Sequence, residues 1–192
     1  MRTYWPLKNF TVAMMLLLAA SMTNADELSG HIGGYIGLKN MDNSDWPDLD
    51  KHFSMGVIFD IKKDSWPISI VLEIMDTGDK HKHTGMEDLG HTTEYHLGIR
   101  KIFMNRNSKI QPYIGGGVSF MYAELEFEEN NMTMTEDDSD VGSWFGAGMY
   151  YEINPKFVLG LDARYSNGEV SLSNKDRDAG GIYTGVTGAY QF

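Results

Sequence analysis

From Phe53 to Ile61 every second residue is large and apolar: Phe53, Met55, Val57, Phe59 and Ile61. Ser54, Gly56, Ile58 and Asp60 stand between them. A β-strand turns successive side chains to opposite faces, so this segment suits a strand with one fully apolar face, whereas a helix would scatter the same residues around its circumference. The period recurs. His31–Lys39 sets Ile32, Gly34, Ile36 and Leu38 against His31, Gly33, Tyr35, Gly37 and Lys39. Ile68–Met75 sets Ile68, Ile70, Leu72 and Ile74 against Ser69, Val71 and Glu73, and Thr93–Phe103 sets Tyr95, Leu97, Ile99 and Phe103 against Glu94, His96, Gly98 and Arg100. Ile110–Leu125, Trp144–Ile153, Phe157–Ser166 and Ile182–Phe192 complete a set of about eight, each near or above the roughly 9–11 residues that a tilted strand needs to cross a bilayer.

The connections alternate in length. Lys62–Pro67, Met104–Lys109 and Asn154–Lys156 are short; Asn40–Lys51, Asp76–Thr92, Glu126–Gly142 and Asn167–Gly180 are long. Short turns at one end and long loops at the other are the habit of an up-and-down membrane barrel. The expected fold is therefore all-β, an eight-stranded antiparallel transmembrane β-barrel with its apolar face outward. Only 42% of residues are hydrophobic and the mean hydropathy is −0.33, which fits a wall where one side chain in two meets lipid. Lys101 is the exception on the lipid face, close enough to a turn to reach the interface. A soluble lipocalin-type barrel also alternates, but with its apolar face inward around a ligand.

The first residues carry Arg2 and Lys8, the apolar run Phe10–Ala20, and small residues up to Ala25. That order reads as a signal peptide over 1–25, with a barrel domain over 26–192. The run is far short of the roughly 20 residues of a spanning helix. Of 16 basic residues, the loss of Arg2 and Lys8 leaves 14 against 27 acidic ones, a formal charge of −13 that makes nucleic acid an unsuitable partner. The absence of cysteine suits passage through an oxidising compartment.

The segments GIRKIF (Gly98–Phe103), QPYIGGGVSF (Gln111–Phe120), WFGAGMYY (Trp144–Tyr151) and LGLDARYS (Leu159–Ser166), with the ending GVTGAYQF, resemble the porin-like outer-membrane β-barrel domain family, which includes the OmpA-type membrane domain. Tyr190 and Phe192 resemble the assembly signal that ends such barrels. The resemblance implies location in the outer membrane of a Gram-negative cell, with lipid, lipopolysaccharide and the barrel-assembly machinery as partners and no cofactor. It leaves activity open, because one fold hosts many functions.

Four constellations are candidates for chemistry. The inward charges Asp60, Glu73, Arg100, Glu152, Asp162 and Arg164 are expected to form a lumen ion-pair network, since the interior of an eight-stranded barrel is filled by side chains. The sequence R-Y-S-N around Ser166 is similar to the H-Y-S-N neighbourhood of the lipid A deacylase family, but Arg164 stands where the histidine base should be and cannot accept a proton. His81, His83 and His91 are candidate ligands for Zn²⁺ or Cu²⁺ in a long loop, interleaved with Lys80 and Lys82, and no metal is expected there. Glu124, Glu126, Glu128, Glu129, Glu136, Asp137, Asp138 and Asp140 form an acidic stretch suited to divalent cations shared with phosphates or to a cationic partner, without the spacing of a calcium loop. The expected function is non-enzymatic: a structural or surface-interaction protein displaying four long external loops to an unidentified partner. The alternatives are an outer-membrane lipid-modifying enzyme and a narrow channel for ions or small solutes.

Overall fold

The computed structural model of the protein describes residues 28–41, 51–83, 86–105, 107–129, 132–172 and 175–192. The expected signal peptide lies outside them, as does most of the first long connection. Ten strands follow in chain order: β1 (Leu28–Asn40), β2 (Lys51–Lys63), β3 (Ser69–His83), β4 (Met86–Ile102), β5 (Ile110–Glu129), β6 (Met132–Asn154), β7 (Phe157–Asn167), β8 (Glu169–Leu172), β9 (Lys175–Asp178) and β10 (Gly181–Gln191). Eight of them close an antiparallel barrel in the order β1-β10-β7-β6-β5-β4-β3-β2, while β8 and β9 form a separate hairpin. The seam runs from His31 opposite Gln191 to Asn40 opposite Ile182, and a reciprocal backbone pair joins Gly30 and Phe192 at 3.0 Å in each direction.

Alternation decides which face is which. Along β7, Val158, Gly160, Asp162, Arg164 and Ser166 are buried while Phe157, Leu159, Leu161, Ala163 and Tyr165 are exposed. Ile36, Leu38, Phe53, Met55, Ile70, Leu97, Ile99, Phe120, Phe145, Met149 and Val186 continue that apolar exterior around the wall. Such a surface would be a large liability in water and is what lipid requires. Phe59 points outward as its position demands yet is only 7% exposed, because the Phe192 ring stacks on it at 6.4 Å.

The lumen is packed. Tyr113, Tyr150, Val158 and Ala189 cluster toward the short-turn end, Tyr35, Ile58, Val71, Met75, Trp144 and Tyr183 at mid-height, and Met41, Met121, Ala123, Val170 and Ala179 at the far mouth. Glycine makes two of these placements possible. A Cβ on Gly148 would lie 2.6 Å from the Tyr113 ring, and one on Gly56 would lie 2.5 Å from that of Tyr35. The small neighbour clears the space the aromatic side chain fills.

Two of the expected long loops are strand. Asp76–His83 pairs with Met86–Thr93, from Asp76 opposite Thr93 to His83 opposite Met86, and Glu126–Glu129 pairs with Met132–Thr135. In Asp76–Thr92 polar residues at both parities hid the extension, since strand outside a bilayer needs no apolar face; the ladder continues because its register is already set lower in the wall. The connection Asn167–Gly180 contains β8 and β9. Its Val170 and Ala179 drop into the mouth cluster, and the Glu169 and Ser171 amides donate to Asp140 and Asp138, both at 2.7 Å.

Candidate functional site

The inward face of each strand delivers its polar side chains to a single column. Asp162 and Arg164, two residues apart on β7, share a face, and their partners on β6 are Gly148 and Gly146. Those glycines leave room for the guanidinium and for the Tyr113 hydroxyl. Glu73 of β3 sits opposite His96 of β4, and Arg100 lies four residues further along β4.

Glu73 is the hub. It accepts from Arg100 Nη2 at 2.6 Å and lies 2.7 Å from Arg164 Nη1. Arg164 Nε is 3.0 Å from Asp162 Oδ1, and the Tyr113 hydroxyl donates to the other oxygen of Asp162. Arg100 Nη1 donates to the Tyr150 hydroxyl at 2.7 Å and lies 3.7 Å from Asp60. Both guanidiniums also lie on aromatic faces, Arg100 over Tyr113 and Arg164 over Tyr35, each 4.3 Å from the ring centroid. All five charged side chains are buried. Ion pairs removed from water are expensive unless every charge is matched, and here each carboxylate has a cation or a hydroxyl within reach.

The column continues both ways. Toward the turns, His31 Nδ1 is 3.1 Å from Asp60, and the ring stacks on Tyr150 at 5.1 Å. Toward the far mouth, His96 stacks on Trp144 at 5.3 Å and sets Nε2 2.9 Å from Glu94. Lys39 Nζ then lies 2.5 Å from Glu94 and donates to the Ala179 carbonyl at 2.6 Å, which fastens the incoming connection to the barrel interior. A route from His31 through Asp60, Arg100, Glu73, His96 and Glu94 to Lys39 thus fills the lumen along its length.

Of the six residues expected in a lumen network, the structure brings together Asp60, Glu73, Arg100, Asp162 and Arg164. Glu152 stands apart at the turn end, where Gln111 Nε2 donates to it at 3.4 Å. Lys39, Glu94, His96 and His31 were not in that set although each has inward parity; period two tells the face of a residue but not its height, and only the stagger of the closed barrel sets that. Ser166 is buried beside Arg164, whose guanidinium is engaged by Glu73 and Asp162. His91 lies opposite Gly78, and its Nε2 pairs with Asp76 at 2.7 Å, while the side chains of His81 and His83 lie outside those described. Tyr190 packs edge-to-face on Phe157 at 5.5 Å, one strand away from the Phe59–Phe192 stack.

Residues 10–192 match the family model described as outer membrane protein beta-barrel domain. A search of curated protein sequences finds no match. Among solved structures, the chain is similar to OprG of Pseudomonas aeruginosa at 15% identity and a TM-score of 0.62, covering 85% of this chain and 95% of that one. It is similar to a major outer membrane protein of Thermus thermophilus at 10% identity and a TM-score of 0.59, covering 86% and 99%. Ail of Yersinia pestis, solved in complex with the heparin analogue sucrose octasulfate, matches at 15% identity and a TM-score of 0.54, covering 86% and 99%. At these identities the likeness is one of fold.

Proposed function

Since the chain belongs to the outer membrane protein beta-barrel domain family and resides in the outer membrane, we propose that it is a non-catalytic surface protein. In this reading a sealed barrel holds four long connections at the cell exterior. The observation that carries this reading is the filled lumen: the Glu73, Arg100, Asp162 and Arg164 cluster and its tyrosines occupy the space a solute would need, and the far mouth is covered by Val170 and Ala179. An interior filled by side chains leaves the hairpins as the working surface.

The partner is a cation or a cationic surface. On the β5–β6 hairpin Glu124 faces Asp137 across the ladder, a like-charge pairing that a counter-ion relieves. Divalent cations shared with lipopolysaccharide phosphates meet that need. A polyanion of the kind bound to Ail would face a surface of its own sign. Residues 1–25 serve as the export signal in this scheme, and Tyr190 with Phe192 as the recognition element for barrel assembly.

Planar-bilayer recording tests it. The purified protein is expected to give no discrete conductance steps; steps that vanish in Glu73→Gln or Asp162→Asn would install the channel reading instead. Hydrolysis of lipid A that is lost in Ser166→Ala would install the enzyme.

A further inference from the structure

The wall is not evenly apolar on the outside. A groove of about 750 Å³ crosses it, bounded by Ile99 and Ile114 on one side and by Phe145, Tyr165 and Ile182 on the other. Its floor is made by Ala147 and Ala163, which the register aligns across adjacent strands: Ile114 faces Ala147, and Ala147 faces Ala163, while the space over Gly116 is taken by the Phe145 ring. From β4 to β10 the groove spans four strand-to-strand steps, roughly 19 Å at the usual strand spacing. The outward side chains flanking that floor, Ile99, Ile114, Phe145, Tyr165 and Ile182, are aliphatic or aromatic, so the natural filling is hydrocarbon.

One end is different. Lys101 borders the groove next to Ile68, at the short-turn end of β4. Its ammonium donates to the Pro67 carbonyl at 2.6 Å, which holds it at the rim, and no carboxylate of the described residues pairs with it. An ammonium has three donors, so two remain free. A cation without a protein counter-ion, at the mouth of an apolar groove in the lipid-facing wall, calls for a ligand with an anionic head and a hydrocarbon tail.

We propose that this groove is a binding site for one anionic phospholipid of the leaflet at the short-turn side, with a headgroup phosphate on Lys101 and an acyl chain lying over Ala147 and Ala163. The ammonium acts as a point charge, so it selects on headgroup charge rather than headgroup shape. The acyl chain gains the contacts that the small side chains of Ala147 and Ala163 leave open.

Native mass spectrometry of the folded full chain in detergent, titrated with phosphatidylglycerol or phosphatidylcholine of identical acyl chains, tests the site. One phosphatidylglycerol should bind ahead of all others, about fivefold tighter than phosphatidylcholine, the factor that one lysine contributes near an anionic lipid. Lys101→Gln should abolish the preference while leaving binding of both lipids, and Ala147→Leu with Ala163→Leu should weaken both lipids together. Equal binding of the two lipids by the unaltered chain, or a preference that survives Lys101→Gln, would overturn the proposal. So would a lipid-free mass of two chains, which would give the groove to a second copy, or tighter binding of lipid A, which would give it to the other leaflet. Should the double leucine variant fail to fold, Lys101→Gln decides alone.

Discussion

The lumen holds two charge clusters, and their cations differ. Around Glu73 and Asp162 the positive charge comes from two guanidiniums, each reaching more than one oxygen and each lying on a tyrosine face. Around Glu94 it comes from an ammonium that serves one carboxylate and one carbonyl, with a histidine ring alongside. A planar fork with several donors can tie neighbouring carboxylates into a network, whereas a point charge makes a pair. The mid-barrel cluster is therefore a shared structure in which removal of one member strands several others. The cluster near the mouth is a local clasp between the wall and the connection that crosses it.

That contrast can be broken by substitution. Arg164→Met leaves Glu73 and Asp162 short of a buried counter-charge and is expected to cost about 3–5 kcal/mol, read from urea unfolding followed by gel mobility. A loss under about 1 kcal/mol would put the two clusters on one footing. Lys39→Met strands only Glu94, which keeps His96, and should cost less, about 1–3 kcal/mol; adding Glu94→Gln should recover most of that, since neither charge is then left alone. The smallest effect sharpens the picture of the clasp from outside. Asp138 accepts the Ser171 and Ser139 amides, which hold its carboxyl below the usual range. A depressed carboxylate contributes fully above its unfolded range and loses that contribution as the pH falls through the lower folded value. The protection factor of the Ser171 amide, its exchange rate relative to the intrinsic rate at the same pH, should be higher at neutral pH than in acid, and Asp138→Asn should weaken that pH dependence without unfolding the barrel.

The faces of the wall strands were legible because lipid imposes a rule on every second residue. Ile182, Val186 and Tyr190 on β10 obey it as plainly as the residues of β2. The rule stops where the lipid stops. Asp76–Thr92 has polar residues at both odd and even positions, so its strand character is invisible to a search for alternation and comes from pairing inherited through the register of Ile70 and Ile99 below it. The column was legible as a set of inward charges but not as a set of neighbours. Glu94 and His96 are two residues apart on one strand and so share a face, but nothing local brings Arg164 of β7 to Glu73 of β3, because that depends on barrel stagger rather than on spacing along one strand. Lys101 stood out as an exception on the lipid face, yet the groove beside it is a product of four strands and has no signature in any one of them.

The pairing of β1 with β10 also has a kinetic meaning. Its partners lie about 140 to 160 residues apart in the chain, while every other wall strand pairs with a wall strand joined to it by one connection. Closing a loop of that size costs roughly 2 kcal/mol more entropy than closing a ten-residue hairpin, and no contact across the seam repays it until both strands are in place. Neighbouring hairpins can therefore form in any order, but the ring is sealed once, late and in a single register. Until then β1 and β10 each present an open edge, the most aggregation-prone stage in the life of this chain.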